Sequence, residues 1–163
     1  MRILIATTGA LSPEPVSGLA AALVGEDGAV MVITVIEVPR SFLDEIRSDT
    51  WHPLSDGLPD WAPEEDAVIA RYVTERGQRI TEPLVVALRG RDVEAEVRYL
   101  EGENPAEMIV AAGEEFEADV IVIGATKQLF AETTWESVST RVLRETRRPC
   151  LVIPAIPRET ETA

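Results

Sequence analysis

The stretch "AVMVITVIEV", Ala29 to Val38, restricts the fold more than any other. It is apolar at nearly every position and rich in β-branched side chains, so as a strand it would bury both faces. "RILIA" (Arg2 to Ala6) and "DVIVIG" (Asp119 to Gly124) read the same way. Strands of this kind belong in parallel sheets with helices on both sides. The segments between them then have to be crossover helices.

Those segments carry helical signals. In "SPEPVSGLAAALVG", Ser12 can cap, Pro13 suits the first helical position and Gly25 can end the helix, while Val16, Leu19 and Leu23 form its apolar stripe. From Pro63 to Arg89, Ile69, Val73, Ile80, Leu84 and Leu88 share a stripe. Pro83 is expected to kink or divide this helix, because it lacks an N–H and crowds the carbonyl of Arg79. Gly90 is the expected terminator. "GENPAEMIVAAGEEFEA" (Gly102 to Ala118) opens with Asn104 as cap, Pro105 next and Glu107 three after the cap. A last helix spans the region of Glu136 to Thr146. "VEAEVRYL" (Val93 to Leu100) alternates as a half-exposed strand does, and "PCLVIP" (Pro149 to Pro154) is the final strand.

The order β-α-β-α-β-α-β-α-β predicts an α/β, single-domain, doubly wound parallel sheet over residues 1–155, with 156–163 as a disordered tail. Within it, Ser41 to Ala62 reads as a long irregular loop that Trp51 and Trp61 pin to the body. Ligands of such sheets sit beyond the carboxyl ends of the strands, where strand order reverses. Here that means Ala6 to Ala10, and Gly124 onwards.

Composition narrows the function. The net charge of -14 opposes nucleic-acid binding, and no basic stripe with interleaved aromatics is present. A single cysteine, Cys150, and a single histidine, His52, make neither a disulfide framework nor a Cys/His metal cluster. The apolar runs are too short for a signal-peptide core or a membrane span, which predicts a soluble cytoplasmic protein.

Taken in order, "RILIATTGA", "VITVIEVP", "GENPAEMIVAAGEEFEADVIVIGA" and "ESVSTRVLRETRRPCLVIP" resemble the universal stress protein family over most of the chain. The last two carry most weight, through G-x-x-P, "ADVIVIG", S-V-S and P-x-L-V-I. The resemblance implies a five-stranded parallel sheet in the order 3-2-1-4-5 and a homodimer through the last strand, Pro149 to Pro154. Some members bind ATP and others do not. In the binders an Asp ends the first strand and contacts the nucleoside. A later G-x-x-G, nine residues, then G-[S/T] wraps the phosphates.

Carried onto this chain, the nucleotide site would comprise Thr7, Thr8, Val35, Ile123, Gly124, Lys127, Ser137, Val138 and Ser139. Thr8 stands in place of the Asp and lacks its charge and second oxygen. Lys127 replaces the second glycine and Glu136 the third, in a loop one residue short. Thr133 and Glu136 have capping-box spacing, which would put the Glu136 carboxylate at the helix end that otherwise attracts anions. Beside a phosphate ~4 Å away it would cost about 4 kcal/mol at an effective dielectric of 20.

The expectation is a non-catalytic, dimeric stress-response protein with nucleotide binding weak or lost, no assigned cofactor or metal, and an unidentified protein partner or ligand. A second reading keeps ATP or AMP in a modified loop that uses Lys127, Ser137 and Ser139. A slow nucleotide hydrolase ranks third. No general base or metal carboxylate is evident for it, and His52 lies in the long loop.

Overall fold

The structure is a computed structural model of the chain and describes residues 1–49, 62–125 and 137–154. Among these, strands β1 (Arg2–Ala6), β2 (Ala29–Ile36), β3 (Ala95–Glu101), β4 (Val120–Gly124) and β5 (Cys150–Ile153) make a parallel sheet in the order β3-β2-β1-β4-β5. The expected doubly wound α/β class and strand order are what is found. Strand order reverses at β1: the chain runs outward through β2 to β3, then returns to place β4 on the other side of β1.

The helices are α1 (Pro13–Val24), α2 (Arg40–Asp49), α3 (Ala62–Arg89), α4 (Pro105–Glu115) and α5 (Val138–Glu145). The apolar strands explain the layers. Ile3, Ile5, Val30 and Val32 face one way and pack with Val16 of α1 and Leu84 and Leu88 of α3. Leu4, Met31, Ile33 and Ile121 face the other way and pack with Ile109 of α4 and Val142 of α5. Each central strand is thus buried on both sides, as its sequence requires. β3 is only partly buried along its length.

The segment expected to be irregular from Ser41 differs. Residues Arg40–Asp49 form α2. Its first turn is set by Phe42 and Leu43, whose N–H groups donate to the Pro39 carbonyl at 3.0 and 3.3 Å. The Phe42 ring then lies 4.7 Å from that of Tyr72 on α3. Packing on a distant helix has outweighed local Ser and Asp content. Trp51, His52 and Trp61 lie outside the described residues, as does the predicted tail at 156–163.

Pro83 does not divide α3, which runs unbroken for 28 residues. Gly90 is not the terminator either. Asp92 takes the left-handed conformation (φ 59), Asp92 N–H donates to the Arg89 carbonyl, and Val93 N–H to the Leu88 carbonyl, both at 3.0 Å. That is the double bond pattern of a Schellman end. Glu117 (φ 52) closes α4 in the same way, with Ala118 N–H on the Gly113 carbonyl at 2.9 Å.

Candidate functional site

Parallel strands bring all their carboxyl ends to one edge of the sheet, and each following helix begins there. At the reversal between β1 and β4 this leaves a crevice of about 290 Å³. That is near the lower end of the ~300–1,000 Å³ range of small-molecule sites.

Of the expected site residues, Thr7, Thr8, Val35, Ile123, Gly124, Val138 and Ser139 line this crevice. Ser137 is not part of its lining. It caps α5 instead: its hydroxyl accepts from Thr140 N–H at 3.2 Å and lies 2.8 Å from Thr140 Oγ1 and 3.1 Å from Ser139 Oγ. Ser137 is thus the cap of α5, while the expected cap at Thr133 falls on residues outside those described. Ser137 is extended (φ -66, ψ 154), so the helix begins after it and Glu136 precedes the cap. Lys127, Thr133 and Glu136 lie outside the described residues.

The loop after β1 is shaped by its own side chains. Thr7 N–H donates to the Ile33 carbonyl at 3.0 Å, extending the β1–β2 ladder, and Thr7 Oγ1 accepts from Gly9 N–H at 3.0 Å. Gly9 has φ 89, where a side chain would be strained. Gly124 has no such conformation. Its value is space, because a β-carbon there would meet Leu11 Cδ2 at 3.2 Å.

Sequence reasoning missed Leu11, Ile33, Thr34, Pro105, Ile109 and Ile153 of the lining. Pro105 was the traceable one. A proline opening the helix after β3 must stand at the carboxyl edge. Chemically the described lining is apolar side chains, hydroxyls and backbone, with no His, Cys, Asp, Glu, Lys or Arg in it. Among the described residues no cluster of His, Cys, Asp and Glu could hold a metal ion, and no helix is long and apolar enough to cross a membrane. Cys150 lies on β5, outside the lining; burial pushes its thiol above its ordinary pKa, which disfavours the reactive thiolate.

Residues 1–154 match the model of the Universal stress protein family. Among solved structures, a protein of that family from Burkholderia pseudomallei is 22% identical, with 94% of this chain and 96% of that chain covered and a TM-score of 0.58. A family protein from Arabidopsis thaliana with AMP bound is 14% identical, with 99% and 96% covered and a TM-score of 0.58. A universal stress protein in complex with cAMP is 16% identical, with 96% and 98% covered and a TM-score of 0.56. At these identities the likeness speaks for the fold. No curated protein matches the chain.

Proposed function

The chain belongs to the universal stress protein family, and we propose that it serves the stress response without catalysis, as a dimer that holds a small ligand in the crevice and binds nucleoside triphosphates weakly or not at all. The make-up of the crevice carries this reading. Hydroxyls and apolar side chains can seat a flat, mostly apolar ligand and orient it by a few hydrogen bonds. Among the described residues they supply no charge to offset the desolvation of a triphosphate, and Thr8 offers a neutral hydroxyl where a carboxylate would grip a nucleoside. The net charge of -14 adds long-range repulsion.

The dimer rests on a separate feature. β5 is an edge strand, and its Leu151 and Val152 are exposed. An apolar edge is made safe by pairing, and a two-fold axis is the simplest way to pair it.

Ser139 in the crevice and the N–H groups opening α5 favour a second reading, in which AMP or ATP binds through a modified phosphate segment. The relatives solved with AMP and cAMP make a monophosphate its first probe. Calorimetric titration with adenosine, AMP and Mg-ATP separates the two. The first reading expects AMP and Mg-ATP each to bind more weakly than about 10 μM, near -7 kcal/mol, whether or not adenosine binds. Tighter binding of either one overturns it in favour of the second. Phosphate release from Mg-ATP above background would overturn the claim of no catalysis.

A further inference from the structure

The open side of β5 carries a fixed pattern of main-chain groups. Ile121 N–H donates to the Pro149 carbonyl and Ala125 N–H to the Ile153 carbonyl, both at 2.8 Å. The odd-numbered residues of β5 therefore turn their main-chain groups towards β4. By alternation Cys150 and Val152 turn theirs to the open side, where no strand neighbours β5 among the described residues. Side chains alternate too. Ile153 packs with the α1 and α3 layer and Cys150 with the α4 and α5 layer, so the exposed Leu151 lies on the first side and the exposed Val152 on the second.

A second copy, related by a two-fold axis normal to the sheet, presents the same pattern running the other way. An axis midway between residues opposes outward groups to inward ones and makes no bonds. An axis at any of the 4 residues of β5 opposes outward groups to outward ones, but the choices are unequal. With the axis at Val152 or Ile153, one outward residue faces the partner's Pro154, which has no N–H to give. With the axis at Cys150, Val152 needs a donor at the partner's Arg148, yet in this chain Arg148 N–H is already bound to Thr146 Oγ1 at 3.0 Å. With the axis at Leu151, Cys150 and the partner's Val152 exchange both bonds, and the outward groups of β5 are all used. Buried main-chain groups are nearly always paired, which selects this register.

We propose that β5 pairs antiparallel with β5 of a second copy in a single register, with Leu151 on the two-fold axis against the partner's Leu151. The inference rests on the proposed dimer and names the atoms that make it. The leucines form a non-hydrogen-bonded pair with Cα atoms ~4.5 Å apart, where side chains touch. The two Cys150 residues are offset by two positions along the strands and one strand spacing across. That sets their Cα atoms about 8 Å apart, past the ~7 Å limit for a disulfide.

The test is disulfide trapping under mild oxidation, read as covalent dimer on a non-reducing gel, with sedimentation of each protein at micromolar concentration. Cys150→Ala with Leu151→Cys should trap at least ~10-fold faster than wild type, whose Cys150 pair is out of reach. Val152→Cys alone should trap as well, through Cys150 of one copy and the new thiol of the other, and should stop trapping when Cys150→Ala is added. This second arm leaves Leu151 in place, so it stands even if the change at Leu151 loosens the dimer. A wild type that sediments as a dimer and traps readily through Cys150, or a Val152→Cys variant that traps equally well with and without Cys150, overturns the register alone. A wild type that sediments as a monomer overturns the dimer reading and the register with it.

Discussion

The two edges of the sheet are built on opposite lines. β3, at one edge, carries Glu96 and Arg98, and Arg98 bonds Glu96 at 2.7 Å and Glu115 of α4 at 2.9 Å. Charges fixed along an edge deter another strand from docking. β5, at the other edge, is Cys150-Leu151-Val152-Ile153, without a charge, and its two central residues are exposed. Even the alternating pattern of β3 follows from its position. α3 covers one face, where Tyr99 meets Gly77, while Glu96 and Arg98 occupy the other. Among the described residues one edge carries fixed charges and the other carries none.

Breaking that contrast at β5 should have the largest effect. Placing a charge there gives β5 the character of β3. Leu151→Arg should weaken a dimer through β5 at least ~100-fold, about 2.8 kcal/mol, and sedimentation at micromolar concentration would show dimer turning to monomer. A monomeric wild type, or a variant that stays dimeric at the same concentration, would remove the proposed role of β5.

At β3 the contrast can be broken from beneath or from outside. A β-carbon on Gly77 would run into the Tyr99 ring, so Gly77→Ala should lower stability by about 1–3 kcal/mol, read as a lower urea midpoint. An unchanged midpoint would mean that Tyr99 swings aside freely. From outside, Glu96→Val with Arg98→Val removes the edge charges. Stability should change by less than ~1 kcal/mol, since exposed pairs contribute little. Light scattering should nonetheless show faster aggregation, and its absence would mean that the β3 charges do not protect the edge.

How much of this was legible depends on the range of the forces involved. The strands, their burial on both faces and the reversal at β1 follow from local apolar runs, because parallel sheets demand such runs. Gly25 ends α1 where a glycine signal says it should. Asp92 and Glu117 end α3 and α4 without one, because buried Val93 and Ala118 fix where the chain must turn inward. α2 escaped notice because its partner, Tyr72, is distant in sequence. At α5 two capping signals competed. Ser137 with Thr140 caps α5, and Val142 of that helix is in the core, while the box at Thr133 falls outside the described residues. In the crevice, Thr8 and Gly124 could be aligned to a motif. Leu11 and Ile109 could not, since walls contributed by separate elements meet only in the packed molecule.

The smallest effect concerns how α4 holds the two edges. Its last two residues point to different strands: Glu115 bonds Arg98 on β3, and Glu114 bonds Arg148 just before β5, at 2.8 Å. The hydrogen bond from Arg148 is the main cause that holds the Glu114 carboxyl below its ordinary pKa, with the charge of Arg148 assisting. A carboxylate whose folded pKa is depressed stabilises the fold fully above its unfolded pKa, about 4.3 for glutamate, and loses that contribution as pH falls through the lower folded value. Arg148→Met should therefore lower the urea midpoint at neutral pH, and the gap to wild type should narrow as pH drops below about 4.3. It should not close completely, because Arg148 also donates to the Ala118 carbonyl at 3.2 Å and that bond does not titrate. A gap that is constant from pH 7 to pH 3 would show that Arg148 acts on the approach to β5 through the carbonyl bond and packing alone.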